Sequence, residues 1–246
     1  GLPVNKEEAL KYFKMAADKG HVVSINRYAL MIANGDGVPA NKEEATKYYK
    51  IAADEGYTDA MFNYAFMLDK GDGVPVNKQE AIKYYQMAIE NGDITSMINY
   101  ACLLKNGDGI PVDKEQALKY FKFAADEGYA DAMYNYAEMI EIGDGVPIDK
   151  DEALKYYKMA VDNGFKDAIL KYVSLLDNDE GILIDKKDSH MQAFHNIASV
   201  FIKEDVILKN KDEIFNHIKT LKDKGNVDAM YCYACIMKSL DKKEEA

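Results

Sequence analysis

The three cysteines are the residues of this sequence best suited to metal or redox chemistry, and two of them, Cys232 and Cys235, form a C-x-x-C pair. Such a pair can be half of a zinc site or the centre of a thioredoxin-like protein. A zinc site needs a second ligand pair, which is missing nearby, and the redox centre needs a strand before its helix, which the sequence does not predict. Cys102 and Cys235 stand at equivalent positions of the repeat described below, so we interpret them as variants of a helix-surface position.

Histidines and Gly-Asp-Gly strings are the other candidate ligands. The four histidines are dispersed, and His190 and His195, five residues apart, would lie on different faces of a helix. A calcium loop needs oxygen ligands at alternate positions, whereas each Gly-Asp-Gly string offers one or two, and turn geometry explains its glycines better. Serine-hydrolase, P-loop and zinc-protease motifs are missing from the sequence. We expect no catalytic residue, no metal site and no cofactor.

A repeat sets the elements that would position any site. Gly-Asp-Gly-Val-Pro occurs at Gly35–Pro39, Gly71–Pro75 and Gly143–Pro147, and Gly-Asp-Gly-Ile-Pro at Gly107–Pro111, in steps of 36 residues. Gly1-Leu2-Pro3 is the tail of one more copy. A period of this size is typical of one helix–turn–helix unit that stacks on its neighbours.

Each string is followed by the start of a helix. An Asn or Asp stands at the N-cap, and a Glu or Gln three residues later reaches back to complete a capping box. A glycine about 15 residues after the cap predicts a left-handed helix end. The caps are Asn5, Asn41, Asn77, Asp113 and Asp149, their partners are Glu8, Glu44, Glu80, Gln116 and Glu152, and the end glycines are Gly20, Gly56, Gly92, Gly128 and Gly164.

A shorter helix is predicted after each capped helix, for example from Asp59 to Lys70. Apolar residues fall on one face of both helices, where alanines allow close approach and larger side chains fill the volume. The expected inward residues are Ala60, Met61, Tyr64, Ala65, Met67 and Leu68 in the shorter helix and Ala45, Tyr48, Tyr49, Ala52 and Ala53 in the capped helix; Glu43, Lys47, Lys50 and Asp54 are expected to point into solvent.

The last third of the chain repeats less regularly. We predict a shorter helix from Gln192 to Lys203, a capped helix from Asn210 to Gly225 with Asn210 and Glu213 as its box, and a further helix from Asp228. A shortened capped helix and a bend are expected between Asp185 and Met191.

Two domains of one array follow from these patterns: a regular array of about five repeats over 1–180, and degenerate repeats over 181–246 that continue it. Lys242–Ala246 is expected to begin another capped helix. Both termini would then fall inside a repeat, and we expect the chain to be a piece of a longer array.

Composition excludes several classes of function. The net charge is −11 and the pI about 4.9, which disfavours nucleic acid and anionic membrane surfaces as partners. No apolar stretch approaches the roughly 20 residues of a membrane span, and no signal-peptide pattern opens the chain. We expect no direct membrane insertion. The few, unevenly placed cysteines favour a reducing compartment, the cytoplasm, with the lumen of the secretory pathway left open.

The repeat resembles the Sel-1-like repeat, a relative of the tetratricopeptide repeat. The G-x-G-V-P string, the acidic cap, the E-A pair, the aromatic pair and A-A-x-x-G follow one another in the order of that family over essentially the whole chain. Tyr48 stands where the family usually has Trp, and Tyr64-Ala65 where it has Leu-Gly. The resemblance implies an all-α, right-handed superhelix (a solenoid) with the shorter helices on the concave side, and an adaptor that holds other proteins together.

Three columns of the shorter helices lie opposite the predicted packing face. Exposed apolar residues aligned across repeats typically mark a partner site, and amides can donate to and accept from a peptide backbone. The alternative interpretation is that Asn is simply a tolerated surface residue copied by duplication. The candidate groove residues are Arg27, Phe62, Asn63, Phe66, Ile98, Asn99, Tyr134, Asn135 and Lys171.

The sequence therefore predicts a scaffold, not an enzyme, that binds a peptide or helix of a partner protein in its concave groove. The other hypothesis is a structural element of a filament, flagellar or membrane-associated lattice that uses its convex surface and ends.

Overall fold

A computed structural model describes residues 5–178, 190–202 and 210–244, and within these ranges it contains thirteen α-helices and no strand. The all-α prediction is confirmed. The helices are α1 (Lys6–Ala17), α2 (Val22–Asn34), α3 (Lys42–Asp54), α4 (Thr58–Lys70), α5 (Lys78–Glu90), α6 (Ile94–Asn106), α7 (Lys114–Asp126), α8 (Ala130–Ile142), α9 (Lys150–Asp162), α10 (Ala168–Asn178), α11 (Met191–Ile202), α12 (Lys211–Asp223) and α13 (Val227–Glu244).

The chain forms two compact units, of which unit 1 ends at Ala117 and unit 2 begins at Leu118. In unit 1, α2 packs between α1 and α3, and α4 packs between α3 and α5. We call α1, α3, α5, α7 and α9 the capped helices, and α2, α4, α6, α8 and α10 the intervening helices. The predicted difference in length is absent from α3 and α4, which have 13 residues each.

The N-cap side chains bond as predicted, but at Asn41 the box partner Glu44 contacts the Asn side chain, because the backbone N–H of the cap bonds the preceding helix. The Asn41 side chain accepts a hydrogen bond from the Glu44 amide at 3.0 Å and donates to the Glu44 carboxylate at 3.1 Å. The backbone N–H of Asn41 donates to the carbonyl of Ile32 in α2 at 2.7 Å, and that of Asn77 donates to Leu68 in α4 at 3.0 Å. Each of these caps therefore begins its own helix and fastens it to the helix before.

Glycine and aspartate shape the recurring loop, as the turn interpretation predicts. Gly71 ends α4 with a left-handed φ of 69°. A Cβ on Gly73 would lie 2.5 Å from the Cβ of Lys42, so glycine is needed where the loop approaches the start of α3. Asp72, between the two glycines, forms an ion pair with Lys42 at 2.8 Å. This aspartate is therefore used to fix the loop to the repeat.

Alanines bring the helices of unit 1 close together. Ala52 and Ala53 in α3, and Ala60 and Ala65 in α4, are fully buried, and Tyr64 fills volume beside them. The predicted packing face is confirmed at these positions. Capped helices pack on α4 from both sides, and its buried arc extends beyond the predicted face to include Asp69.

Unit 2 departs from the regular pattern after α10. α9 packs between α8 and α10, whereas α10 packs directly against α12. His217 of α12 and Lys224, the C-cap residue after it, lie 2.9 and 2.8 Å from the carboxylate of Asp177 in α10. α12 thus takes the place of the capped helix that follows α10, while α11 packs against α9 and α13. The shortened helix and bend predicted between Asp185 and Met191, and the division predicted at 180 and 181, lie outside the described residues.

The last two helices correct two predictions. Asn210 has a left-handed φ of 59° and makes no side-chain cap hydrogen bond, so the capping box predicted with Glu213 is wrong. Asn tolerates this conformation better than most residues, and the helix starts without the box. The helix predicted to begin at Lys242 is also wrong, because α13 continues to Glu244 without a glycine loop to interrupt it.

Candidate partner-binding faces of the intervening helices

Four predicted groove residues of unit 1 remain outside its core. Arg27 of α2 is exposed, and Phe66 of α4 keeps 37% of its surface exposed. Asn63 of α4 and Asn99 of α6 are half-buried. These side chains are available to a partner without unpacking the helices.

Two other predicted groove residues of unit 1 contribute to packing. Ile98 is only 4% exposed, so its prediction as an exposed apolar residue is wrong. Phe62 is half-buried, with its ring centroid 6.4 Å from that of Tyr85 in α5 and 5.9 Å from that of Phe66. Asn26, at the start of the same column, is 3% exposed. The wide buried arc of the intervening helices reaches this column, which a single-face pattern could not predict.

The asparagine column is held in place by hydrogen bonds. The Asn63 amide donates to the Asn26 side-chain oxygen at 3.5 Å, which joins α4 to α2. The Asn99 amide donates to the Thr95 carbonyl one turn earlier at 2.9 Å. An Asn side chain has two N–H groups and an oxygen with two lone pairs. One such bond therefore orients the amide and leaves most of its hydrogen-bonding capacity for a partner.

In unit 2, the predicted residues Tyr134 and Asn135 lie on α8. Tyr134 is half-buried, with its ring 5.7 Å from Tyr157 and 5.3 Å from Phe165. The Asn135 amide donates to the Asp131 carbonyl at 2.8 Å, as Asn99 does in unit 1. Tyr134 is therefore part of an aromatic cluster as well as of the surface.

Lys171, the remaining predicted residue, is engaged inside unit 2. Its ammonium lies 3.0 Å from the Glu141 carboxylate, which also accepts a hydrogen bond from the Tyr157 hydroxyl at 2.7 Å. Burial, and then the bond to Glu141, raise the pKa of Tyr157 above its usual range.

The hydroxyl of Tyr85 in unit 1, which is equivalent to that of Tyr157, is buried with no hydrogen-bond partner in the described part of the chain. Burial, followed by the charge of Asp69, raises the pKa of Tyr85.

Sequence reasoning missed a lysine–tyrosine cluster that joins two successive capped helices and the intervening helix between them. The Lys50 ammonium lies 5.3 Å from the ring centroids of both Tyr64 and Tyr84, and the two rings meet edge to face at 4.8 Å. Lys50 donates to the Tyr84 hydroxyl at 3.0 Å and to Asp54 at 3.2 Å. Burial alone would raise the pKa of Asp54, but hydrogen bonds from Tyr84 and Lys50 lower it. Lys50 and Asp54, predicted to point into solvent, keep 44% and 52% of their side-chain surface exposed but also form contacts that the prediction did not include.

The cluster recurs, and its repetition was the available sequence signal. The lysine and its two tyrosines return at the same repeat positions with ammonium-to-ring distances of 4.8 to 5.6 Å. In the third repeat Gln86 replaces the lysine and donates to the Tyr100 hydroxyl at 2.9 Å. The copies are Lys14 with Tyr28 and Tyr48, and Lys122 with Tyr136 and Tyr156.

The cysteine and histidine side chains considered as metal or redox ligands contribute instead to packing and hydrogen bonding. Cys232 is fully buried, and burial, followed by the charge of Cys235, raises the pKa of its thiol to about 12. His190 hydrogen-bonds the Tyr172 hydroxyl, and the ring of His195 stacks on Tyr231 at 6.3 Å. Among the described residues no group of three His, Cys, Asp or Glu side chains could hold a metal ion.

The family model of the Sel1 repeat matches residues 1–21, 22–57, 58–93, 94–129 and 130–165. The chain belongs to the Sel1 repeat family. The matched boundaries separate each intervening helix and the capped helix after it from the next such pair. The Sel1 repeats thus coincide with the 36-residue period, and the family is one whose repeats generally mediate interactions between proteins.

Solved structures of other Sel1 repeat proteins share this fold. A Sel1 repeat protein from Oxalobacter formigenes is 25% identical, with a TM-score of 0.68 over 89% of this chain and 94% of that one. A protective antigen of uropathogenic Escherichia coli with an SLR fold is 21% identical, with a TM-score of 0.66 over 94% of this chain and 52% of that one. No curated protein matches the chain. The predicted solenoid class is confirmed by these Sel1 relatives, which show the fold and do not identify a partner.

Proposed function

We propose that this Sel1 repeat chain is a protein–protein interaction scaffold that holds segments of partner proteins on the exposed side of its intervening helices. The observation that carries the proposal is the set of side chains in unit 1 that lie outside the core and take little part in packing. Phe66 remains 37% exposed, and Arg27 and Asn99 lie outside the core, on helices whose other sides are buried. An exposed aromatic ring beside polar groups is typical of a protein-binding surface.

We also propose that the chain is not an enzyme, uses no cofactor and works in the cytoplasm. A buried, protonated Cys232 is unsuited to nucleophilic attack. No disulfide joins Cys102, Cys232 or Cys235, which supports a reducing compartment. The net charge of −11 supports a protein rather than a nucleic acid as the partner. In the described ranges no helix is long and apolar enough to cross a membrane.

A second candidate function is that of a structural element in a larger assembly, and one observation favours it. Two capped helices of unit 1, α1 and α3, expose an apolar side chain near their last turn, Met15 at 47% and Ile51 at 49%. Phe123 has the equivalent position in unit 2 and is 49% exposed. A lattice contact could use these residues, which are separate from the exposed side of the intervening helices.

Photo-crosslinking distinguishes the two functions. A benzophenone amino acid is placed at position 66 in one variant and at position 51 in another, and each purified chain is incubated with lysate of its source cells. We expect position 66 to crosslink to a segment of a partner protein that position 51 does not reach. Specific crosslinks at position 51 with none at position 66 would favour the lattice element and count against the scaffold.

A further inference from the structure

The intervening helices of unit 1 differ in charge from the chain as a whole. The chain has a net charge of −11, whereas α2, α4 and α6 together carry three basic residues and two acidic ones. One of the acids, Asp69, is only 3% exposed and is paired with lysines. Lys105 stands at the repeat position of Asp69 and is half-buried, so the side turned to solvent presents two basic residues, Arg27 and Lys70, against one acidic residue, Asp59. The five residues are Arg27, Lys70, Lys105, Asp59 and Asp69.

Arg27 is the cation with the greatest capacity for a new partner. It is exposed and forms no ion pair within the described part of the chain. Burial and Asp59 raise the pKa of Tyr57, and the charge of Arg27 opposes that rise. Asp59 accepts a hydrogen bond from the Tyr57 hydroxyl at 3.3 Å. Arg27 therefore lies near the Tyr57 hydroxyl, and its exposed guanidinium keeps its donors for a carboxylate.

Lys70 places a second cation beside exposed aromatic surface. Its ammonium lies 5.8 Å from the ring centroid of Phe66, and its side chain is 51% exposed. Asp69, which pairs with Lys70 at 2.7 Å, is also paired with Lys78 at 2.6 Å. A ligand carboxylate can therefore approach Lys70 while an apolar side chain next to it covers the Phe66 ring.

We propose that this face of unit 1, made of Arg27, Asn63, Phe66, Lys70 and Asn99, binds an acidic segment of a partner protein in which an aromatic or aliphatic residue stands next to carboxylates. The inference rests on the proposed scaffold function and adds the chemistry of the partner. Charge complementarity selects the acidic residues, and the exposed Phe66 ring selects the apolar one. The two asparagine amides can bond the backbone of the segment.

The test is selection from a random 12-residue peptide library displayed on phage, with the intact chain as the target. We expect the enriched peptides to combine at least two Asp or Glu residues with a neighbouring aromatic or aliphatic residue. The enriched peptide is then synthesised, and its Kd is measured by fluorescence anisotropy. In the Arg27→Gln/Lys70→Gln variant we expect the Kd to rise about tenfold, because two partly exposed ion pairs are lost.

A matched control removes the same charge elsewhere in unit 1. Lys11 and Lys47 are exposed on the capped helices, and Lys11→Gln/Lys47→Gln should leave the Kd within about twofold, the size of a long-range charge effect at physiological salt. Circular dichroism confirms the helicity of both variants. Equal weakening in the two double variants would overturn the assignment of the face.

The outcomes separate this inference from the function on which it rests. Enriched peptides that are basic or uncharged but lose binding in Phe66→Ala would overturn the acidic partner and retain the scaffold. Selection that enriches no peptide dependent on Phe66 would count against both. Self-association in sedimentation velocity, or binding to phosphatidylserine vesicles, that is lost in Arg27→Gln/Lys70→Gln would make the occupant a second copy or a membrane and would also overturn the proposal.

Discussion

Unit 1 and unit 2 share the same helix pair but differ on the exposed side of the intervening helices. In unit 1, α4 presents Phe66 and Lys70, whereas the equivalent positions of α8 in unit 2 carry Glu138 and Ile142. Tyr134 and Lys171 of unit 2 are engaged by Tyr157 and Glu141. The repeat therefore fixes the core and leaves the exposed side of the intervening helices free to vary.

The same contrast is visible at one buried column. Tyr85 in unit 1 and Tyr157 in unit 2 are both fully buried at equivalent repeat positions. The Tyr157 hydroxyl has Glu141 as its acceptor, whereas the Tyr85 hydroxyl has no partner in the described part of the chain. The residue equivalent to Glu141 in unit 1 is the shorter Asp69, whose carboxylate pairs with two lysines and does not accept from Tyr85. Identical tyrosines at equivalent repeat positions can therefore differ in energy.

The largest expected effect tests whether the two cores are alike. Ala52 in unit 1 and Ala160 in unit 2 are fully buried at the same repeat position. Ala52→Leu and Ala160→Leu should each lower the free energy of unfolding by about 1–3 kcal/mol, because the helices cannot separate to admit the larger side chain. Urea denaturation measures both. Lys47→Leu, on a side chain that is 69% exposed, should change stability by less than about 0.5 kcal/mol.

A smaller effect should separate the two tyrosines. Tyr157→Phe should cost about 1.5 kcal/mol, because it removes a hydrogen bond to a carboxylate. Tyr85→Phe should be neutral or stabilising by up to about 1 kcal/mol, because it removes a buried hydroxyl without a partner, and Phe121 already occupies the equivalent position. Urea midpoints of the two variants give the comparison. Equal destabilisation by both would show that the Tyr85 hydroxyl has a partner after all.

The smallest effect concerns the lysine–tyrosine cluster, which both units contain. Lys50→Gln and Lys122→Gln should each cost about 0.5–1 kcal/mol, since a partly exposed ammonium leaves two aromatic rings. Gln86 shows that the repeat folds with Gln at this position. Thermal unfolding followed by circular dichroism measures the loss, with Lys47→Gln as the control. A cost at Lys47 as large as at Lys50 would remove any special role for the cluster.

The sequence predicts the repeat and its helices because each local choice agrees with the next. Asn41 caps a helix, Gly56 ends it and Ala52 lies inside it, and the structure confirms all three. Ile98 was misplaced and the contacts of Lys50 were missed because their environment comes from the adjoining repeats: neighbouring helices enlarge the buried arc in one case and bring Tyr84 over the lysine in the other. The face of unit 1 could be predicted as a set of columns, but its charge became visible only once Asp69 was known to be buried.

The most direct test of the central claim compares one residue on each side of unit 1. The partner recovered by crosslinking at position 66 is titrated by calorimetry into the intact chain, Phe66→Ala and Ile51→Ala, two truncations of side chains that are 37% and 49% exposed. If the intervening helices hold the partner, Phe66→Ala should weaken binding by about 2 kcal/mol or more and Ile51→Ala by less than about 0.5 kcal/mol. Loss of binding in Ile51→Ala with unchanged binding in Phe66→Ala would contradict the claim.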